Sequence, residues 1–224
     1  MSRAIGVLIS LFSLVRPLSA QDPPPPEPDL PAAELLLERL RALDERTDTD
    51  ARSLLWNRLR TQYVLAVARE EWILEAQQTL EALRSPGADP SGPETSRIQA
   101  YDGALEVVRG KHAFWPRSKL NHVRQGLELL DAAVDRSPRD VEVRNLRLLS
   151  TFYLPFFFRR GDSARADLET LASLLLESPD ALPPEDLVPV IDFVLERGTL
   201  AEETSTALRS LRARLAAASD AQPR

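Results

Sequence analysis

The chain has no cysteine in its 224 residues, so no disulfide and no thiol-linked lipid is available and its stability rests on packing alone. Glycine is scarce, 8 residues, and none stands in a Gly-x-Gly-x-x-Gly or Walker arrangement, which excludes the usual phosphate-cradling loops. Histidine is limited to His112 and His122, without a His-Glu-x-x-His motif, and no Gly-x-Ser-x-Gly nucleophile turn occurs. His122 is followed at i+3 and i+4 by Gln125 and Gly126, poor zinc ligands, so no metal, cofactor or catalytic residue is expected. Sustained period-two alternation is absent, which excludes a sheet. Excess positive charge is absent as well. The 28 basic and 34 acidic residues give a formal charge of −6, a balance that disfavours nucleic acid and anionic membrane surfaces as partners.

What is present begins with a basic start at Arg3, twelve apolar positions from Ala4 to Val15, and Arg16-Pro17-Leu18-Ser19-Ala20. These are the parts of a secretory signal peptide over residues 1–20, cut after Ala20. Twelve residues fall short of the roughly twenty that a spanning helix needs, and no later segment reaches that length. Losing Arg3 and Arg16 leaves 26 basic against 34 acidic residues, a charge of −8. The expected protein is periplasmic or secreted. Residues 21–30, with four consecutive prolines from Pro23 to Pro26, read as a stiff Pro-rich tether.

Residues 31–218 read as one all-α domain. Leu36, Leu40 and Leu43 share a helical face, as do Leu55, Leu59, Tyr63 and Val67. A turn, or only a kink in one long helix, is expected near Arg69-Glu70-Glu71, before the stripe of Trp72, Ile73, Ala76, Leu80 and Leu83. Ser85 to Glu94 is dense in proline and glycine and reads as the internal loop. A helix with Ile98, Tyr101, Leu105 and Val108 follows and should stop near Gly110, with Phe114-Trp115-Pro116 as a hydrophobic staple for the next. That next helix carries Leu120, Val123, Leu127, Leu130 and Val134 and ends at Ser137-Pro138. Asp140 caps a partner bearing Val143, Leu146, Leu149 and Tyr153, with Pro155 bending its interior and Gly161 closing its C-terminus. Asp162 opens a helix with Ala164, Leu168, Leu171 and Leu175 that stops at Ser178-Pro179. Two final helices carry Leu187, Ile191 and Val194, then Leu208, Leu211 and Leu215, before a polar tail over 219–224.

The repeated helix closed by Ser-Pro, with Gly161-Asp162 turning the chain between, resembles tetratricopeptide-type repeats. Gly126, Ala133 and Pro138 match a second helix, and Trp56, Leu59 and Tyr63 a first one. The step of 41 residues from Pro138 to Pro179 exceeds the family's period of about 34. The resemblance therefore implies stacked antiparallel helical hairpins in an irregular, right-handed tetratricopeptide-like array. The stretch from Tyr101 to Leu175, above all Pro116-Arg-Ser-Lys119-Leu120, Gly126 to Pro138 and Asp140 to Leu148, is similar to a group of small exported bacterial helical proteins without an established activity. That likeness places Lys119, Glu142, Arg144, Arg147, Pro155 and Asp167 where the group's polar or special residues fall.

Arg144 and Arg147 adjoin on one helix face. With Lys119 they could hold a partner's carboxylate, or they could pair internally with Glu142, Asp167 or Glu128 and fix helix packing. Phe156, Phe157 and Phe158 could fill the core or form a docking patch. Pro138, Glu142, Pro155, Gly161 and Asp167 read as structural. The acidic pairs Glu70-Glu71 and Glu202-Glu203 and the Asp131/Asp135 step read as solvated faces. The leading expectation is a non-enzymatic exported repeat protein that binds an unknown protein or peptide through its stacked-hairpin surface. An enzyme with a polar cleft around Lys119, Arg144, Arg147 and a histidine, or a structural accessory subunit, are the alternatives.

Overall fold

The computed structural model describes residues 30–45, 50–84 and 92–221. The expected leader, nearly all of the tether, most of the 85–94 loop and the end of the 219–224 tail lie outside the described residues. Nine α-helices are present among those described: α1 (Leu30–Glu45), α2 (Ala51–Ala68), α3 (Trp72–Leu83), α4 (Pro93–His112), α5 (Pro116–Arg136), α6 (Val141–Thr151), α7 (Gly161–Glu177), α8 (Pro184–Arg197) and α9 (Glu202–Ala221). No strand occurs among them, and no helix there is long and apolar enough to cross a membrane.

Local chemistry sets the helix ends. Pro93, Pro116 and Pro184 start helices, where the missing N–H is no loss. Asp50 accepts from the Ser53 amide at 3.0 Å, and Asp140 from the amides of Glu142 and Val143, each at 3.0 Å. The two Ser-Pro stops are geometric copies: Ser137 sits at φ −131°, ψ 69° and Ser178 at φ −132°, ψ 71°. The α2–α3 boundary is a true break, with Arg69 extended at φ −138°, ψ 127°.

Consecutive helices pack as antiparallel pairs, α2 with α3, α4 with α5, α6 with α7 and α8 with α9, and α1 lies against α2. First helices of neighbouring pairs also touch, α2 with α4 and α4 with α6, while α3 meets α4, α5 meets α6 and α7 meets α8. Two large apolar clusters result. One joins α2 to α6 around Leu59, Leu80, Leu105 and Leu130; the other joins α6 to α9 around Leu171, Leu175, Ile191 and Leu208. Helix α6 feeds both, with Val143 and Leu146 in the first and Val141, Leu148 and Leu149 in the second. Each fully buried leucine or isoleucine contributes roughly 1.5–3 kcal/mol, so α6 couples the two halves.

Several boundaries differ from the sequence expectation. Helix α4 begins at Pro93, inside the expected loop, and runs through Gly110 to His112. Gly110 is there for proximity: a Cβ would stand 2.7 Å from a Val123 methyl and 3.0 Å from the Lys119 carbonyl oxygen. Phe114 and Trp115 make no staple, being 85% and 70% exposed and stacked edge-on with each other at 5.2 Å. Pro155 does not bend a helix interior, because α6 has already ended at Thr151; it precedes a single 3-10 turn, Phe156–Phe158. Gly161 closes nothing and is the first residue of α7. Arg159 takes the left-handed conformation, φ 54°, that glycine usually supplies.

Candidate functional site

The Arg144 and Arg147 side chains converge on one buried acid. Asp167 of α7 is 0% exposed and accepts from Arg144 Nη1 at 2.7 Å, Arg147 Nη2 at 2.7 Å and Arg147 Nε at 2.8 Å. Arg147 also reaches Asp131 of α5 at 3.3 Å, and Arg160 holds the other Asp131 oxygen at 2.5 Å. Burial disfavours the Arg147 charge, but the hydrogen bonds and negative charges of Asp167 and Asp131 together outweigh it and its pKa stands raised. This arrangement locks α5, α6 and α7 together.

Lys119 is elsewhere. It donates to the Lys111 carbonyl at 3.0 Å, at the end of α5 remote from Asp131; twelve helical residues separate the two, about 18 Å. The expected cluster of Lys119 with Arg144 and Arg147 does not assemble. Lys119 belongs instead to a set of cations on helix C-termini. Lys111 donates to the Val67 carbonyl at 2.5 Å, and His112 Nε2 bonds the Ala66 carbonyl at 2.9 Å. Burial pushes the Lys111 ammonium down to about 8 and lowers His112 also.

Phe156 and Phe157 are 88% and 50% exposed. Their 3-10 turn is closed by Phe158 N–H to the Pro155 carbonyl at 3.0 Å. Phe157 and Phe158 border a shallow cleft of about 180 Å³ shared with Arg124, Leu127, Glu128 and Arg160.

A second hollow was not legible in the sequence. The first helices of all four pairs, with α1, line a cavity of about 120 Å³. Its polar floor joins three helices: Glu142 of α6, 3% exposed, accepts from Arg60 of α2 through Nε at 2.7 Å and Nη2 at 3.0 Å, and from the Tyr101 hydroxyl of α4 at 2.8 Å. Arg97 stands 3.7 Å from the same carboxylate while donating to Asp140 at 2.7 Å. Burial opposes the Arg60 charge, yet the Glu142 bonds raise its pKa; burial followed by the Glu142 charge holds Tyr101 well above the ordinary phenol range. Leu146, Leu149, Val190 and Phe193 form the apolar wall. At the rim Arg39 of α1 donates to Asp186 of α8 at 3.2 Å, and burial raises the Asp186 pKa despite that bond. The Tyr63 hydroxyl, buried and in reach of Ser150, makes no hydrogen bond of normal geometry, and burial pushes it up to about 12.

Sequence reasoning singled out Glu142 as structural but not Arg60, Arg39 or Asp186. The available signal was an acid between Val141 and Val143 on an apolar helix face. Its partner, 82 positions away, has no local signature. No group of histidine and carboxylate ligands suited to a metal occurs among the described residues.

Fold and site together define an all-helical protein of antiparallel helix pairs whose first helices share one cavity. Comparison with protein-family models, with curated proteins and with solved structures finds no match.

Proposed function

We propose that this chain is an exported, tetratricopeptide-like repeat protein that binds another protein or peptide through its stacked-hairpin surface and carries out no catalysis. The observation that carries this reading is the cavity lined by α1, α2, α4, α6 and α8. Its volume of about 120 Å³ suits one anchoring side chain of a partner rather than a whole small-molecule substrate, whose pockets run to several hundred Å³. Its wall is apolar and its floor charges are mutually neutralised, the arrangement of a pocket that receives an apolar anchor inside a polar rim. The copied Ser-Pro stops and the contacts between successive first helices support the repeat reading. Periplasmic or secreted placement rests on the leader-like residues 1–20.

Affinity capture with the full chain as bait, beside a bait carrying Asn145→Trp, tests the proposal. Asn145 is half-buried on the cavity wall, so the indole fills the hollow. A partner recovered by the native chain and lost by the filled one is the expected result. Failure of a folded native chain to recover any partner would sink the reading.

A further inference from the structure

Charge is unevenly distributed in this acidic chain. Between Glu106 and Glu128 there is no acidic residue, whereas Arg109, Lys111, Arg117, Lys119 and Arg124 are all basic, and Lys111 and Lys119 are the only lysines in the protein. Phe114 and Trp115, almost fully in solvent, stand in the middle of that segment, at the turn between α4 and α5. The neighbouring turn repeats the composition: Phe156 and Phe157 are exposed and followed by Arg159 and Arg160.

Helix α5 joins the two. Arg117, Asn121, Arg124 and Glu128 are spaced i, i+4, i+7 and i+11, hence on one stripe, and all four are exposed. Trp115 caps the N-terminus of this stripe, and Phe157 and Phe158 border the cleft at Arg124 and Glu128. The stripe therefore runs about 16 Å along α5, from beside Trp115 to the cleft that Phe157 and Phe158 border, with cations along it and one acid at its far end. Hydrogen bonds from Lys111, His112 and Lys119 to the carbonyls of Val67, Ala66 and Lys111 fix the α4–α5 turn on the stack.

We propose that this face is a peripheral docking surface for an anionic phospholipid bilayer. Phe114 and Trp115 project together from the tip of the α4–α5 turn and Phe156 from the neighbouring one, while Phe157 and Phe158 border the cleft, and exposed rings at two turn tips suit insertion into the headgroup and acyl boundary. Tryptophan and phenylalanine settle at that depth, and arginines beside them meet lipid phosphates. Two aromatic sites acting with a basic stripe supply the paired signals that reversible attachment needs. The net charge of −6, which taken over the whole chain disfavours an anionic surface, acts only weakly at this face, because at physiological salt charges more than about 8 Å away are largely screened.

The test is flotation of the full chain with vesicles of phosphatidylcholine, with and without phosphatidylglycerol, following tryptophan emission. The expected result is binding to the phosphatidylglycerol vesicles, weakened by salt, with a blue shift. Phe114→Ala/Trp115→Ala should reduce partitioning about tenfold or more, as should Arg117→Glu/Arg124→Glu. Trp115→Phe should bind almost as well as the native chain but lose the blue shift, which assigns the reporter. All these side chains are exposed, so unchanged circular dichroism and melting establish folding. The apolar leader residues are identical in every variant and contain no tryptophan. Equal partitioning of all variants would mean that attachment is through the leader and overturns the proposal, as would absence of vesicle binding. Capture of an acidic protein on this face without vesicle binding overturns it too.

Discussion

Arg60 and Glu142, separated by 82 positions, form a two-point ion pair at 2.7 and 3.0 Å beneath the cavity, with the Tyr101 hydroxyl donating to the same carboxylate. Such a pair is weak evidence for stability as a unit, because desolvation offsets attraction, but removing one partner strands the other. Glu142→Ala should therefore destabilise by about 3–5 kcal/mol, leaving the Tyr101 hydroxyl without its acceptor and the Arg60 charge without a counter-ion, held only by Asn57 at 3.1 Å. Urea unfolding measures this, and a loss under about 1 kcal/mol would show that water replaces the carboxylate.

Asp167 faces the same test with a different control. Asp167→Ala should cost about 3–5 kcal/mol, because Arg144 and Arg147 both lose their buried acceptor. If the two arginines serve packing, Arg147→Ala and Asp167→Ala will be strongly non-additive in a double-mutant cycle. Additive losses would free Arg147 for another role.

Gly103 and Gly126 bring α4 and α5 into backbone contact. A Cβ on Gly126 would stand 2.5 Å from the Gly103 carbonyl oxygen, and one on Gly103 would stand 2.7 Å from the Gly126 carbonyl oxygen. Neither obstacle is a flexible side chain, so Gly126→Ala should cost at least about 1–3 kcal/mol although alanine favours helix. A neutral or higher melting temperature would mean that the two helices separate freely.

Asp186 gives a pH signature. Its folded pKa is raised, by burial first, with the Arg39 bond opposing. The folded state thus binds its proton more tightly than the unfolded chain does, so the contribution is full below the ordinary carboxylate pKa and lost as pH rises through the folded value. Asp186→Asn should accordingly stabilise the protein at neutral pH, with the advantage vanishing near pH 4 and below. Melting curves of both chains across that range decide it; a variant less stable at pH 7 would show that the Arg39 pair outweighs burial.

The apolar stripes were legible wherever a helix buries one face, as with Trp72 to Leu83 or Val123 to Val134, because the spacing itself encodes the buried side. Asp140 and the Ser-Pro stops were legible because caps act within a few residues. Gly161 and Pro155 misled, since α6 stops at Thr151 and Arg159 supplies the left-handed turn. Gly110 read as a stop, whereas the close approach of α5 is what requires it. The exposure of Phe114 and Trp115, like the cavity floor of Arg60, Tyr101 and Glu142, depends on how pairs stack, and periodicity within one helix carries no such information.

The most direct measurement of the central claim is the affinity of a captured partner for the native chain against Asn145→Trp, both with matched melting temperatures. Anchoring in the cavity predicts a loss of about tenfold or more, near 1.4 kcal/mol, in the filled chain, and equal affinities would contradict it.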